Sequence, residues 1–402
     1  MAVAHPEGGV ADVALADAAL TDAPLLESSA LDTALPDTAL PDAALPDATP
    51  PDAAAAPWHL PDYSCRVRVE IQNQELSAPL TDFTTLVALD AASLSCGIVP
   101  FDPLDLVFVD ADGAVLNHEL EPAPQSAPTP AWVRLPRIPP APAEAHLWLY
   151  FSNIQSGSSA PPSLAWGPAF RGVWHLAEII EPYSVVHDST SYAHDATPDG
   201  LMDASSLSPG LIGHALGFDG LNDRLVIGDP SDGSLDFEAH TSFTYSLSVY
   251  PDGSAGQHDM PWQKGGSSDS NPGYDLELGS GCWGVGLSNG APGEYHILCF
   301  GEESDFTPGW INLAVVVDRT SSEVNVYVNG VQESWVSLTP GYDVNTHVEA
   351  SIGAEPYGFY AYRGLIDEVR VVAAARSAEW IAAEERSLRG ELALLGQVES
   401  GG

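Results

Sequence analysis

The chain has 402 residues, 56 of them acidic and 13 basic, for a formal charge of −43. A surface this negative repels nucleic acid and anionic lipid, so partners of those classes are excluded; it suits divalent cations, basic partners or a salty medium. No run of 18 apolar residues occurs, so no membrane insertion is expected.

The first 57 residues read as a low-complexity acidic spacer. Acidic residues recur every fifth position from Asp12 to Asp52, and leucines keep the same beat at Leu35, Leu40 and Leu45. Stacked pentapeptide coils would need a shared core and free backbone donors. Pro36, Pro41, Pro46, Pro50 and Pro51 remove such donors, so an extended, self-repelling segment is expected. The acidity is not confined there: residues 1–56 hold 10 acids and no bases, leaving 46 acids against 13 bases in the rest. Met1 is followed by AVAHPEGG, which has neither the basic start nor the apolar run of a signal peptide.

Residues 58–158 read as a small β-sandwich. RVRVEIQ, from Arg66, alternates with a period of two and predicts a half-buried strand. LTDFTTLVALD follows, and DLVFVDADGAVLNHELE contains two strands joined by ADG, a hairpin signal. AWVRLPRI and AHLWLYFSN complete the set. SGSSAPPS, Ser156 to Ser163, offers little to bury and marks a boundary. From residue 166 to 402 a larger all-β domain is expected. Its strands are GVWHLAE, HALGFDG, DRLVIG, SFTYSLSVYP, GYDLELG, CWGVGLSN, YHILCF, INLAVVVDR, EVNVYVNG and LIDEVRVVA, with Gly, Asn and Asp between them. One helix is predicted in RSAEWIAAEERSLR, with Ser377 as N-cap and Trp380 and Ile381 on its apolar face. ALLGQVE is a last strand, expected to return to the sheet of this domain.

Four cysteines fall as local pairs, Cys65 with Cys96 and Cys282 with Cys299. Two disulfides in an oxidising compartment are expected, the alternative being four free thiols in a cytoplasmic protein. No CxxC or Cys/His cluster proposes a zinc site.

The second region resembles a bacterial laminin-G-like, concanavalin A-like domain over about residues 168–388. GVWHLAE with HDSTSYAHDATPDG resembles its opening, and LGFDGLNDRLVI the next strand-turn-strand. WINLAVVVDRTSSEVNVYVNG resembles its central hairpin. IGAEPYGFYAYRGLIDEVRVVAAARSAEWIAAEERS resembles the closing segment. The first region is similar to an uncharacterised bacterial β-domain that precedes such lectin-like domains in surface proteins. YSCRVRVEIQN and HLWLYFSN carry that likeness; YSCR and His118 in NHELE depart from it. The resemblance implies an all-β chain: a small sandwich, then a concanavalin A-like jelly roll.

The same resemblance implies one structural calcium, ligated partly by Asp188 and Asp367, which suits an ion that takes six to eight oxygens. Both residues also suit an Asx-turn or a backbone cap, and Asp219, Asp223 and Asp229 read as turn residues. For a ligand, the aromatic loop PYGFYAYRG points to Tyr357, Tyr360, Tyr362 and Arg363. Alternate residues Tyr357 and Phe359 could instead be core, and Trp262 and Trp283 are also placed near loops. Catalysis lacks a motif: no HExxH or GxSxG, and no ExDxxE acid pair, occurs. Glu302-Glu303 cannot put both carboxylates on one face, and His175 and His194 stand apart from any serine or cysteine arrangement. The expectation is a non-catalytic, secreted or cell-surface protein, lipid-anchored before processing, that binds a glycan or surface protein. Alternatives are a self-assembling structural subunit and a polysaccharide-acting enzyme.

Overall fold

The computed structural model describes residues 56–401 apart from 97–100, 126, 154–160, 253–257, 269–270, 280, 292–294 and 303–308. The acidic spacer lies outside the described residues but for its last two, and so do most of SGSSAPPS and Glu303.

Six strands open the chain: β1 (Tyr63–Ile71), β2 (Leu80–Leu89), β3 (Leu106–Asp110), β4 (His118–Leu120), β5 (Thr129–Ile138) and β6 (Ala145–Asn153). The alternation in β1 sends Cys65, Val67, Val69 and Ile71 inward, all at most 4% exposed. That face meets Phe83 and Val87 of β2 and Val133 of β5 across a shared core. The ADG turn forms, with Gly113 at φ +92° and Val115 bridging back to Val109, but the flanking strands do not make the expected hairpin: β3 and β4 join different sheets. Its sheets run β3-β6-β1 and β2-β5-β4.

The second sandwich begins with β7 (Phe170–Trp174), β8 (Thr197–Asp199), β9 (Leu207–Pro209), β10 (His214–Asp219), β11 (Arg224–Gly228) and β12 (Phe243–Pro251). It continues with β13 (His258–Ser268), β14 (Asn271–Gly279), β15 (Cys282–Asn289), β16 (Tyr295–Glu302) and β17 (Ile311–Asp318). It closes with β18 (Glu323–Val328), β19 (Val331–Ser337), β20 (Ala350–Ile352), β21 (Arg363–Val372), α1 (Ala378–Leu388) and β22 (Ala393–Ser400). One sheet runs β19-β18-β17-β12-β21-β10-β9, with β7 on β21; the other runs β16-β15-β14-β13-β20-β11-β8. Trp174, Trp262, Trp283, Tyr245 and Tyr274 fill the space between them.

Five strands escaped the sequence pattern: the three-residue β8, β9 and β20, too short to show a period, and the longer β13 and β19. β13 carries Pro261 and two glycines, and its register slips on either side of Trp262–Gly265. β19 is an edge strand with no fully buried residue, so no inward alternation marks it. The only lysine, Lys264, is fully buried on β13; its ammonium donates to Asp229 at 2.8 Å and to the Val348 carbonyl at 2.7 Å.

The helix is as read: the Ser377 hydroxyl accepts the Trp380 N–H, and Trp380 and Ile381 are buried. They pack into the first sandwich, where Trp380 lies 4.8 Å from Phe83 between ring centres. The last strand corrects the expectation. β22 does not join the second sandwich but pairs antiparallel with β1, Val398 opposite Val67. Leu392 and Ala393 are apolar and buried against that first core, which the larger sheets could not offer them. Ala314 and Val316 of β17 share the same cluster, so one continuous core crosses from one sandwich into the other. Both expected disulfides are present, Cys65–Cys96 and Cys282–Cys299, with Cα atoms 6.3 and 5.8 Å apart.

Candidate functional site

A concavity of about 630 Å³ opens on the β9–β10–β21–β12 face of the larger sheet. Tyr250 supplies an aromatic ring and is braced edge-on by Trp310 at 5.8 Å, while Phe218 borders the hollow from the core side of the sheet. Arg363, first residue of β21, lines the same hollow, as do Asp203, Asp219, Asp223 and Asp252. Local chain chemistry fixes these acids. Asp203 caps the turn Ala204–Ser206 and accepts from the Ser205 N–H and hydroxyl, which holds its carboxyl below the usual range. Asp219 accepts the Leu221 and Asn222 N–H groups, and Asp223 those of Leu201 and Asp219. Asp219 and Asp223 are thus turn residues, as their sequence setting predicts. Burial, then the charge of Asp219, pushes the Asp223 carboxyl up.

The aromatic loop leads directly into this hollow, because Arg363, which lines it, follows Tyr362 at the loop's end. The loop is held by Glu355 N–H to the Phe359 carbonyl, Gly358 N–H to the Glu355 carbonyl, and Met260 N–H to the Tyr360 carbonyl. Arg224 donates to the Pro356 carbonyl from below. Tyr357, Phe359 and Tyr360 are 68%, 67% and 47% exposed. Tyr362 is fully buried in the core, so it presents nothing to a ligand. Its neighbour Arg363 turns outward because successive strand residues face opposite ways. Trp262 and Trp283, placed near loops from sequence, are also fully buried. Asp203, Asp252 and Tyr250 are not marked in the sequence, and Asp219 and Asp223 are marked only as turn residues, because they come from separated segments that only the fold joins.

The two calcium candidates sit in different bonding environments. Asp188 accepts four donors: the Val173, Thr190 and His194 N–H groups and the Thr190 hydroxyl. Asp367 is fully buried, accepts the Ile212 N–H through Oδ2, and leaves Oδ1 without a partner. Asp229 pairs with Lys264 rather than closing a turn. His194 does have a serine beside it, Ser234 Oγ at 2.5 Å from Nε2, contrary to expectation. Asp232 approaches the same nitrogen at 3.8 Å, so the three do not form a relay through the ring.

His175 is not solitary either. It directly follows β7 and is stacked on Trp132 of β5 with ring centres 5.6 Å apart. Its Nδ1 lies 2.6 Å from Glu368 Oε1 and 3.5 Å from Glu121 Oε2; its Nε2 lies 3.5 Å from Glu119 Oε2. Burial alone would lower the ring's pKa, but the Glu368 and Glu121 carboxylates outweigh it and hold it well above the usual value. Arg370 bonds Glu368 Oε2 at 2.6 Å and Glu384 at 2.7 Å. Burial pushes the Glu121 carboxyl up to about 8. The sequence hid this group because its members are spread over β4, β7 and β21.

Two packed antiparallel sheets with a concave polar face define a lectin-like jelly roll. Residues 220–382 match the laminin-G-type family described as the concanavalin A-like lectin/glucanases superfamily, and that stretch is a domain of this kind. No curated protein matches. Among solved structures, the binding domain of botulinum neurotoxin DC in complex with SialylT is similar at 12% identity and TM-score 0.43, over 55% of this chain and 52% of that one. The Ruminococcus gnavus IT-sialidase CBM40 bound to alpha2,3 sialyllactose is similar at 14% identity and TM-score 0.35, over 42% of this chain and 96% of that one. The chain thus spans about half the length of the neurotoxin domains it matches.

Proposed function

We propose that the second sandwich is a non-catalytic glycan-binding module, and that the hollow beside Arg363 receives the sugar. The observation that carries this is the joining of Arg363, four aspartates and Tyr250 in one concavity next to an exposed, braced aromatic loop. Carboxylates accept sugar hydroxyls, the guanidinium donates to ring and hydroxyl oxygens, and aromatic rings cover the apolar face of a pyranose. The lectin-like superfamily match supports the reading.

The charge of the hollow chooses the ligand class. Four carboxylates against one guanidinium repel an acidic sugar, so the ligand is a neutral or amino-bearing glycan. Asp219 and Asp223 spend their oxygens on backbone donors, which supports binding over hydrolysis. The two disulfides support a secreted or cell-surface setting, and no described helix is long and apolar enough to cross a membrane. Titration of the full chain with neutral, amino-bearing and sialylated oligosaccharides, with product analysis after long incubation, tests all of this. Binding confined to the first two classes, with the sugars recovered intact, is expected. A preference for sialylated sugars would overturn the ligand class, and cleaved products the non-catalytic reading.

A further inference from the structure

We propose that Glu121, His175 and Glu368 form a binding site for one zinc-class divalent ion at the junction of the two sandwiches. The three offer ligand atoms that all lie within 4.8 Å of one another, and every one of them is buried. They come from the residue after β4, the residue after β7 and the middle of β21, so an ion here would tie the first sandwich to the second.

Three observations carry the site. The first is bonding capacity left over. Glu121 Oε1 is buried with no hydrogen-bond partner, as is the neighbouring Asp367 Oδ1, although buried polar atoms are almost always paired. Glu121 and His175 are only 3% and 7% exposed.

The second is charge. Glu119, Glu121, Asp367, Glu368 and Glu384 outnumber the cationic side chains beside them, which are His175, Arg370 and, next to Glu384, Arg376. Carboxylates that outnumber their counter-charges at this depth carry a steep desolvation cost, which a divalent ion offsets.

The third is geometry. Ligands of a tetrahedral ion at about 2.1 Å stand about 3.4 Å apart. His175 Nδ1 and Glu121 Oε2 already lie 3.5 Å apart. The 2.6 Å contact of Nδ1 with Glu368 Oε1 must open by somewhat less than an ångström to admit the ion. The surrounding groups are those that orient metal ligands. Arg370 holds Glu368 Oε2 and leaves Oε1 turned toward His175, Trp132 Nε1–H steadies Glu121 at 3.0 Å, and Glu119 stands ready for the far N–H of His175.

One imidazole nitrogen with carboxylate oxygens selects zinc or its neighbours over calcium, which prefers oxygen alone. The donor set therefore differs from the calcium expected at Asp188 and Asp367. The turn Gly210–Gly213 borders a separate cavity of about 420 Å³, and its glycines press on the cluster. A Cβ at Gly213 would stand 2.7 Å from Glu121 Oε1, and one at Gly210 2.6 Å from Asp367 Oδ2.

The test is to unfold the full chain in chelator, refold it with Zn²⁺ or Co²⁺, remove free metal by gel filtration and measure the metal retained. About one ion per chain is expected, with a visible Co²⁺ ligand-field band. Glu121→Gln, which keeps the acceptor for Trp132, and His175→Gln should each cut retention at least about tenfold. The double variant His187→Gln/His347→Gln, at exposed histidines, should retain the ion. Metal-free wild type, full retention by Glu121→Gln, or loss in the exposed-histidine variant would each overturn the site. If His175→Gln does not fold, Glu121→Gln decides alone.

Discussion

Arg363 lies across Gly220: a Cβ built on Gly220 would stand 2.8 Å from both Cβ and Nε of Arg363. The bare backbone of the β10–β11 turn is therefore what lets the guanidinium settle over the hollow. Gly220 has φ +72°, so Gly220→Ala also costs about 1–2 kcal/mol of backbone strain. The variant is expected to fold, melt a few degrees lower, and bind its glycan more weakly because Arg363 is displaced. Thermal unfolding and glycan titration of the same sample check this. Unchanged affinity at the lowered melting point would remove Arg363 from the site.

Two tyrosines five residues apart should behave oppositely. Tyr362 is fully buried, so Tyr362→Ala is expected to cost about 3–5 kcal/mol. Tyr357 is 68% exposed, so Tyr357→Ala should stay within about 0.5 kcal/mol of wild-type stability. An aromatic contact of about 1 kcal/mol to the sugar would then appear as roughly fivefold weaker binding. Denaturant melts beside affinity measurements separate the two; a Tyr357→Ala protein with wild-type affinity would exclude the aromatic loop from the ligand.

Asp275 predicts a pH dependence. It is fully buried on β14, and burial, then the Glu277 charge, pushes it up to about 8 despite the Gly286 N–H bond. An acid whose pKa rises on folding favours the folded state while protonated. That contribution is complete below the unfolded value near 3.8 and is lost as pH climbs toward 8. Asp275→Asn removes this titration. Its stability relative to wild type should grow between pH 5 and pH 8, by at most ~1.4 kcal/mol per pH unit. Parallel stability curves for the two proteins would mean that Asp275 is charged in the folded state.

The shared core predicts that the sandwiches unfold together. Ile381 of α1 is fully buried in the same cluster as Val67 of β1 and Val316 of β17. Ile381→Ala should cost about 2–5 kcal/mol and shift one calorimetric transition as a whole. Two resolved transitions, with only the second moved, would show that the cores are independent.

What could be read beforehand follows from where the information sits. β1 declared itself because RVRVEIQ buries every second residue, and α1 because Ser377 and the Trp380–Ile381 stripe are local signals. The partner of β22 was illegible, since ALLGQVE alternates equally well against either sandwich and pairing with β1 spans over 300 positions. Tyr362 and Arg363 illustrate the limit for the site. The loop was marked by its aromatics, but which residue faces inward depends on the phase set by β21. The Glu121–His175–Glu368 group has no sequence spacing at all, because three distant strands assemble it.

The central claim is that the hollow beside Arg363 binds a neutral or amino-bearing glycan. The most direct test is one glycan array probed in parallel with the wild-type chain and Arg363→Ala, both confirmed folded by circular dichroism. Wild type is expected to retain a defined set of non-acidic glycans, and Arg363→Ala to lose that set. Retention of the same glycans by both proteins, or of none by wild type, would contradict it.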